Sequence, residues 1–317
     1  MHHDDKTKTH TETHGAVDPL LITTEKGKQA VKWSFIGLML TAIVQIIIVY
    51  ISGSAALLAD TVHNFSDAIT ALPLWIAFSL IRKKPSKRFT YGYGRMEDVA
   101  GLVIVILIIF SGFFAAYQAF ELLKYPKTIE YVEVVALAGV VGFFGNEAIA
   151  KFRIKVGKEI GSAALIADGY HARVDGFTSL AVLAGAVGVW LGYPLADPII
   201  AFIITIAILK IAWESGKMVF SRILDGVDPE VIDDIRNAVN DVEGVRGITS
   251  IRVRWIGHRL HTEVNVTVDS DLSVKEGHDI TIDVRQKLMK NVAYISGTTI
   301  HVDPLDVVDE CELNGYW

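Results

Sequence analysis

Between residues 30 and 220 the sequence is apolar in runs of about 20 residues, the helix length needed to cross a bilayer core about 30 Å thick. The spacing predicts helices over roughly 30–51, 54–81, 96–124, 131–152, 161–190 and 196–220. With 51% hydrophobic residues and a mean hydropathy of +0.38, the chain is too apolar for an ordinary soluble protein. The expected fold class is an α-helical membrane protein with six transmembrane helices. Residues 1–28 are polar and lack the apolar core and cleavage site of a secretory signal, so the first span is expected to remain as an anchor. The opening MHHDDKTKTHTETHG, with His2, His3, His10 and His14, reads as a disordered, solvated tail.

The formal net charge of −6 conceals an asymmetry. Arg82, Lys83, Lys84, Lys87, Arg88 and Arg95 stand between spans two and three, and Lys151, Arg153, Lys155 and Lys158 between spans four and five. Connections at 52–53 and 191–197 have no Lys or Arg, and 125–130 has only Lys127. The positive-inside rule then places both termini and both basic loops in the cytoplasm. The basic clusters are thereby a topology signal, and no nucleic-acid partner is expected. Cys311 is the single cysteine, which excludes an intrachain disulfide framework and a cysteine zinc motif.

After Phe220 the hydrophobicity drops and the pattern shortens. PEVIDDIRNAVNDVEG (229–244) has helical spacing, with Asp228 as N-cap and Pro229 at the first helical position. SIRVRWIG (250–257) and HTEVNVTVD (261–269) alternate like strands, 273–291 return to helical period, and TTIHVD (298–303) is a short strand. The order α-β-β-α-β suits a small ferredoxin-like sandwich with one modest core. The expected organisation is a cytoplasmic tail over 1–28, a six-helix membrane domain over 29–220 and a cytoplasmic domain over 221–317.

Within the apolar region one stretch occurs twice. GSAALLADTVHNFSDAITAL (53–72) returns as GSAALIADGYHARVDGFTSL (161–180), with eleven of the twenty positions identical. The first copy follows an outside turn and the second a basic loop, so their spans run in opposite directions. This is an inverted repeat, the pattern of alternating-access transporters with a site at the repeat interface. His63 and His171 each fall roughly 15–18 Å into their spans, near the bilayer midplane. Residues four apart share a helix face, so His63 projects with Asp67 and His171 with Asp175. Two imidazoles and two carboxylates suit a tetrahedral divalent ion, Zn²⁺ first, and the carboxylates neutralise the dication. Buried ionisable groups in spans are costly and mark ion pathways. Asp60 and Asp168, three residues before each His, are expected to line vestibules on opposite sides of the membrane.

The six spans, the paired HNFSD and HARVD, the segment TYGYGRMED and the α-β-β-α-β tail resemble the cation diffusion facilitators from about residue 30 onward. The resemblance implies a homodimer in the membrane lipid that exchanges cytoplasmic Zn²⁺ for external protons. His63 in the second span argues for zinc, since members with Asp there are linked to broader selectivity; Fe²⁺, Co²⁺, Ni²⁺, Cd²⁺ and Mn²⁺ remain open, Mn²⁺ least favoured. Neutral imidazole binds metal and imidazolium does not, which supplies a physical reason for proton coupling. The loop KKPSKRFTYGYG lacks His, Asp and Glu, so the additional loop site of some members is expected to be absent. In the cytoplasmic domain His278, His301 and Asp303 match a metal site of some members, while Thr249 and Asn265 replace two of its His; His261 and Glu263 stand as substitutes. Arg95 and Asp225 match a family salt bridge. No His-Glu-x-x-His motif occurs, and four ligands leave no open metal position, which argues against an enzyme. A metal sensor or scaffold without flux is the other reading. The short connection between spans four and five lacks a His-rich insertion, which favours a prokaryotic inner membrane.

Overall fold

The computed structural model describes residues 19–52, 71–124, 132–193 and 195–305. Among the described residues six helices come first: α1 Pro19–Ser52, α2 Leu72–Ile81, α3 Arg95–Lys124, α4 Val132–Ile160, α5 Ala163–Trp190 and α6 Ala196–Ile223. Among the described residues three stretches are long and apolar enough to cross a membrane: Ile22–Ile47, Arg95–Glu121 and Pro198–Ile223. Large apolar side chains on α3 and α6, including Phe110, Phe113, Ile206 and Trp213, are exposed, a surface suited to lipid and not to water.

Two boundaries differ from the sequence reading. Helix α1 begins at Pro19, so the last ten residues of the expected tail are helical. Thr24 in that segment is fully buried, which gives the extra turns tertiary support. The basic segment 151–158 is not a loop: α4 runs through it to Ile160 and turns at Gly161 and Ser162 directly into α5. Gly161 supplies the positive φ of +73°, and the Ser162 hydroxyl accepts from the Leu165 N–H at 3.0 Å, capping α5.

Helix α5 lies inside the bundle, in contact with α3, α4 and α6. Residues 161–169 are buried without interruption. Glycines let α4 and α5 approach closely, as small residues do between membrane helices. A Cβ on Gly169 would lie 2.6 Å from Ile154 Cγ1 and 3.0 Å from Ile154 N, and one on Gly139 would lie 2.9 Å from the Ser179 carbonyl.

The C-terminal unit follows the expected order: α7 Pro229–Asn240, β1 Gly247–Ile256, β2 Arg259–Val268, α8 Val274–Asn291 and β3 Ile295–Pro304. Strand β2 is central, antiparallel to β1 and parallel to β3. Val264 and Val266 on β2 pack with Ile300 and Val302 on β3 against Ile235 and Val239 of α7 and Val284 and Leu288 of α8. Both helices thus cover one face of the sheet. Ser273 and Glu276 form a reciprocal capping box at the start of α8.

Gly169→Ala is expected to destabilise the detergent-solubilised protein by about 1–3 kcal/mol, because its methyl meets backbone. At Gly216 on α6 the nearest atom to an added Cβ is 3.7 Å away, so Gly216→Ala is expected to be neutral or stabilising. Thermal unfolding of both variants checks the contrast; equal melting temperatures would contradict the packing described.

Candidate functional site

His171 and Asp175 lie one turn apart on α5, each only 3% exposed. The Asp175 carbonyl accepts from the Thr178 and Ser179 hydroxyls at 2.7 and 3.2 Å, which fixes the backbone around this turn. Their expected counterparts, His63 and Asp67, lie outside the described residues, as does Asp60. Among the described residues no group of three or more His, Cys, Asp or Glu is close enough to hold a metal.

Asp168 does not line a vestibule here. It is fully buried and its Oδ2 sits 3.1 Å from Arg153 Nη1 on α4, with Arg153 itself 1% exposed. Extending α4 through the basic segment is what carries Arg153 inward, so a residue that reads as a topology charge is an internal partner. Breaking such a pair costs about 3–5 kcal/mol, since it strands the other charge. Nearly two turns nearer the middle of α4, Glu147 accepts from Arg173 Nε and Nη2 at 3.1 and 3.2 Å, a two-pronged pair between α4 and α5.

The five residues named for a cytoplasmic-domain metal site do not converge within the chain. His261 and Glu263 sit on the sheet face away from the helices, and β2 register pairs them with Gly297 and Thr299. His301 pairs with Asn265, four residues along β2 from His261, a separation of about 13 Å. His301 Nε2 meets Asp303 Oδ1 at 2.9 Å, while His278 is exposed on α8, on the other side of the sheet. His261 Nε2 is 3.3 Å from Ser296 Oγ; burial, then the charges of Arg254, Arg259 and Arg95, push its pKa below the usual imidazole value.

Arg95, at the start of α3, does meet Asp225, just past α6, with Nη2 2.5 Å from Oδ1. Both side chains are nearly half exposed, so this pair alone adds little stability. The buried part of the junction is one that the sequence reading missed. The β1–β2 turn, Gly257 and His258, inserts against the membrane helices. His258 Nδ1 lies 2.6 Å from Glu97 Oε2 on α3, and its Nε2 lies 3.2 Å from Thr23 Oγ1 and 3.4 Å from Thr24 Oγ1 on α1. His258 and Glu97 are 2% and 1% exposed. Arg222, in the last turn of α6, donates from Nη1 to the Gly161 carbonyl at 2.5 Å and stacks 3.9 Å above the Trp255 ring. Tyr294 donates from its hydroxyl to the Lys158 carbonyl at 3.0 Å. A hairpin tip carrying Trp255 and Ile256 beside a Gly turn was the available signal, because a free tip would not expose them.

Each of the two units matches a known family. Residues 31–224 match the family described as the cation efflux transmembrane domain, and residues 227–305 the one described as the cation efflux protein, cytoplasmic domain. A probable cation efflux system protein of Mycobacterium tuberculosis is 51% identical, the match covering 92% of this chain and 88% of that protein. The manganese efflux system protein MneS of Bacillus subtilis is 26% identical over 89% of this chain and 97% of its own. A solved MamM CTD in a cadmium form is 25% identical over 24% of this chain and 95% of its own, with a TM-score of 0.24. The chain belongs to the cation efflux family, the cation diffusion facilitators. It is a multi-pass membrane protein for divalent metal cation efflux and is not an enzyme.

His258→Ala is expected to destabilise the full chain by about 3–5 kcal/mol, leaving Glu97 buried without its partner. The double variant His258→Ala, Glu97→Leu is expected to recover part of that loss. Thermal unfolding measures both, and additive losses would contradict a coupled pair.

Proposed function

We propose that this protein is a Zn²⁺/H⁺ antiporter that moves metal from the cytoplasm outward by alternating access, through a four-coordinate site of His63, Asp67, His171 and Asp175. The single observation that carries this reading is the buried His171–Asp175 turn on a helix packed against α3, α4 and α6 in a cation efflux chain. The same His-x-x-x-Asp spacing recurs in 63–67, within a repeat whose two copies run in opposite directions through six spans. Two carboxylates offset the charge of the ion, and two imidazoles give the borderline-soft donors that zinc favours. Protons compete for the imidazoles, so loading the site with metal releases them and protonation expels metal. The four groups titrate as one coupled set. Asp60 is placed at the outer approach to the site. The C-terminal unit serves as the cytoplasmic dimer contact between two copies, and both termini face the cytoplasm of a prokaryotic inner membrane.

Manganese is the second reading, favoured by the name of the MneS relative. Two imidazoles weigh against it, because Mn²⁺ prefers oxygen donors in six-coordinate geometry. A sensor or scaffold without flux predicts metal binding but no transport.

Vesicles containing the full chain, an internal zinc dye and an imposed pH gradient separate these readings. Proton-dependent zinc uptake is expected from the wild type. His171→Ala is expected to fall to the level of protein-free vesicles and to lose its pH dependence. Wild-type flux in that variant would reject the assigned site, and a Mn²⁺ preference in competition would reassign the metal.

A further inference from the structure

Residues 82–91, between α2 and α3, are exposed without interruption and carry Arg82, Lys83, Lys84, Lys87 and Arg88. They form an ordered knob. The Ser86 hydroxyl accepts from the Phe89 N–H at 3.1 Å, and the Phe89 carbonyl accepts from the N–H groups of Ser86 and Gly92 at 3.1 and 3.0 Å. Gly92 turns the chain with a φ of +78°. Arg82 is held 3.1 Å from Glu25 on α1, but Lys83, Lys84 and Lys87 have no carboxylate partner among the described residues. The Tyr91 ring lies 5.3 Å from the Arg254 guanidinium of β1, so the knob stands at the end of the bundle that carries the C-terminal unit. Its height relative to a bilayer follows from two exposed tryptophans. Trp75 lies six residues, about 9 Å, before the end of α2, and Trp33 lies eight residues, about 12 Å, past Glu25 on α1. Lys28 Nζ lies 5.7 Å from the centre of the Trp75 ring, as at a membrane–water interface. Exposed Trp rings at one level mark the headgroup belt, so the lysines stand at its water edge.

We propose that this knob is a docking surface for anionic phospholipid, with Lys83, Lys84 and Lys87 on the headgroup phosphates. Topology alone accounts for the sign of the charge in this connection. It does not require that the lysines be presented together on a hydrogen-bonded turn, where like charges repel unless an anion meets them. A lysine cluster directly beyond a membrane helix is the arrangement that attracts acidic headgroups. Phe89, 46% exposed within the same turn, is ill placed in water and well placed among headgroups and upper acyl chains. The inference is independent of the metal site. Because Tyr91 also touches Arg254, a lipid held by the knob sits beside the contact between the loop and β1.

The test places the full chain in nanodiscs of equal parts phosphatidylglycerol and phosphatidylcholine with the same acyl chains, and counts the lipids it retains by native mass spectrometry. The wild type is expected to retain phosphatidylglycerol preferentially. Each lysine near an acidic surface contributes about fivefold, so K83Q/K84Q/K87Q is expected to lower the preference by about tenfold or more. The control K275Q/R285Q/K290Q removes the same charge from exposed positions on α8 and is expected to keep the wild-type preference. All six positions are exposed, so both variants fold. Raising the salt from about 0.1 M to about 1 M shortens the screening length from about 10 to about 3 Å and is expected to erase the difference between wild type and the loop variant. A wild type without preference, or a loop variant that keeps it, overturns the proposal. Equal losses in the control and the loop variant overturn it too, since the effect then belongs to net charge. Inorganic phosphate that displaces the lipid at matched ionic strength would show a site for the free anion and likewise overturn it.

Discussion

The close approach of α4 and α5 is the constraint on which the rest of the molecule depends. Gly139, Gly142, Gly157 and Gly169 leave no room for a side chain at the contact, so the two helices lie backbone to backbone. That closeness seals Arg153 against Asp168, and sealing them makes each indispensable to the other. It also sets His171 and Asp175 in the interior, where an ionisable group needs a partner or a passing ion. A looser pair of helices would admit solvent to Asp168 and to His171.

The same helix pair is where the C-terminal unit is attached. The turn joining α4 to α5 gives its Gly161 carbonyl to Arg222 of α6, which stacks on Trp255 of β1, and the nearby Lys158 carbonyl to Tyr294. The β1–β2 tip reaches further, to Glu97 on α3 and Thr23 and Thr24 on α1. A shift of the C-terminal unit therefore presses on α1, α3, α6 and the start of α5 together. The start of α5 is two turns from His171, so one helix joins the junction to the proposed metal site.

Much of this was legible because it rests on periodicity and on repetition. Helical runs, the switch to alternating strands from residue 250 and the paired His-x-x-x-Asp are patterns in the chain itself. Arg153 was misread for a physical reason. A Lys- and Arg-rich segment looks alike whether it is a loop or the end of a helix, and only the helical phase shows that Arg153 turns inward while Lys151 and Lys155 stay exposed. His258 was missed because its partners, Thr23, Thr24 and Glu97, are more than 160 residues away, a distance that no local pattern reports. The residues named for a cytoplasmic-domain metal site do not meet within one chain because of register: period two puts His261 and His301 on one face, yet their pairing sets them four residues apart along the strands.

Zinc-edge X-ray absorption on the full-length protein with one equivalent of Zn²⁺ tests the central claim most directly. The account predicts a four-coordinate shell of nitrogen and oxygen at about 2.0 Å, with the outer scattering of two imidazoles. A six-oxygen shell without imidazole scattering would contradict it.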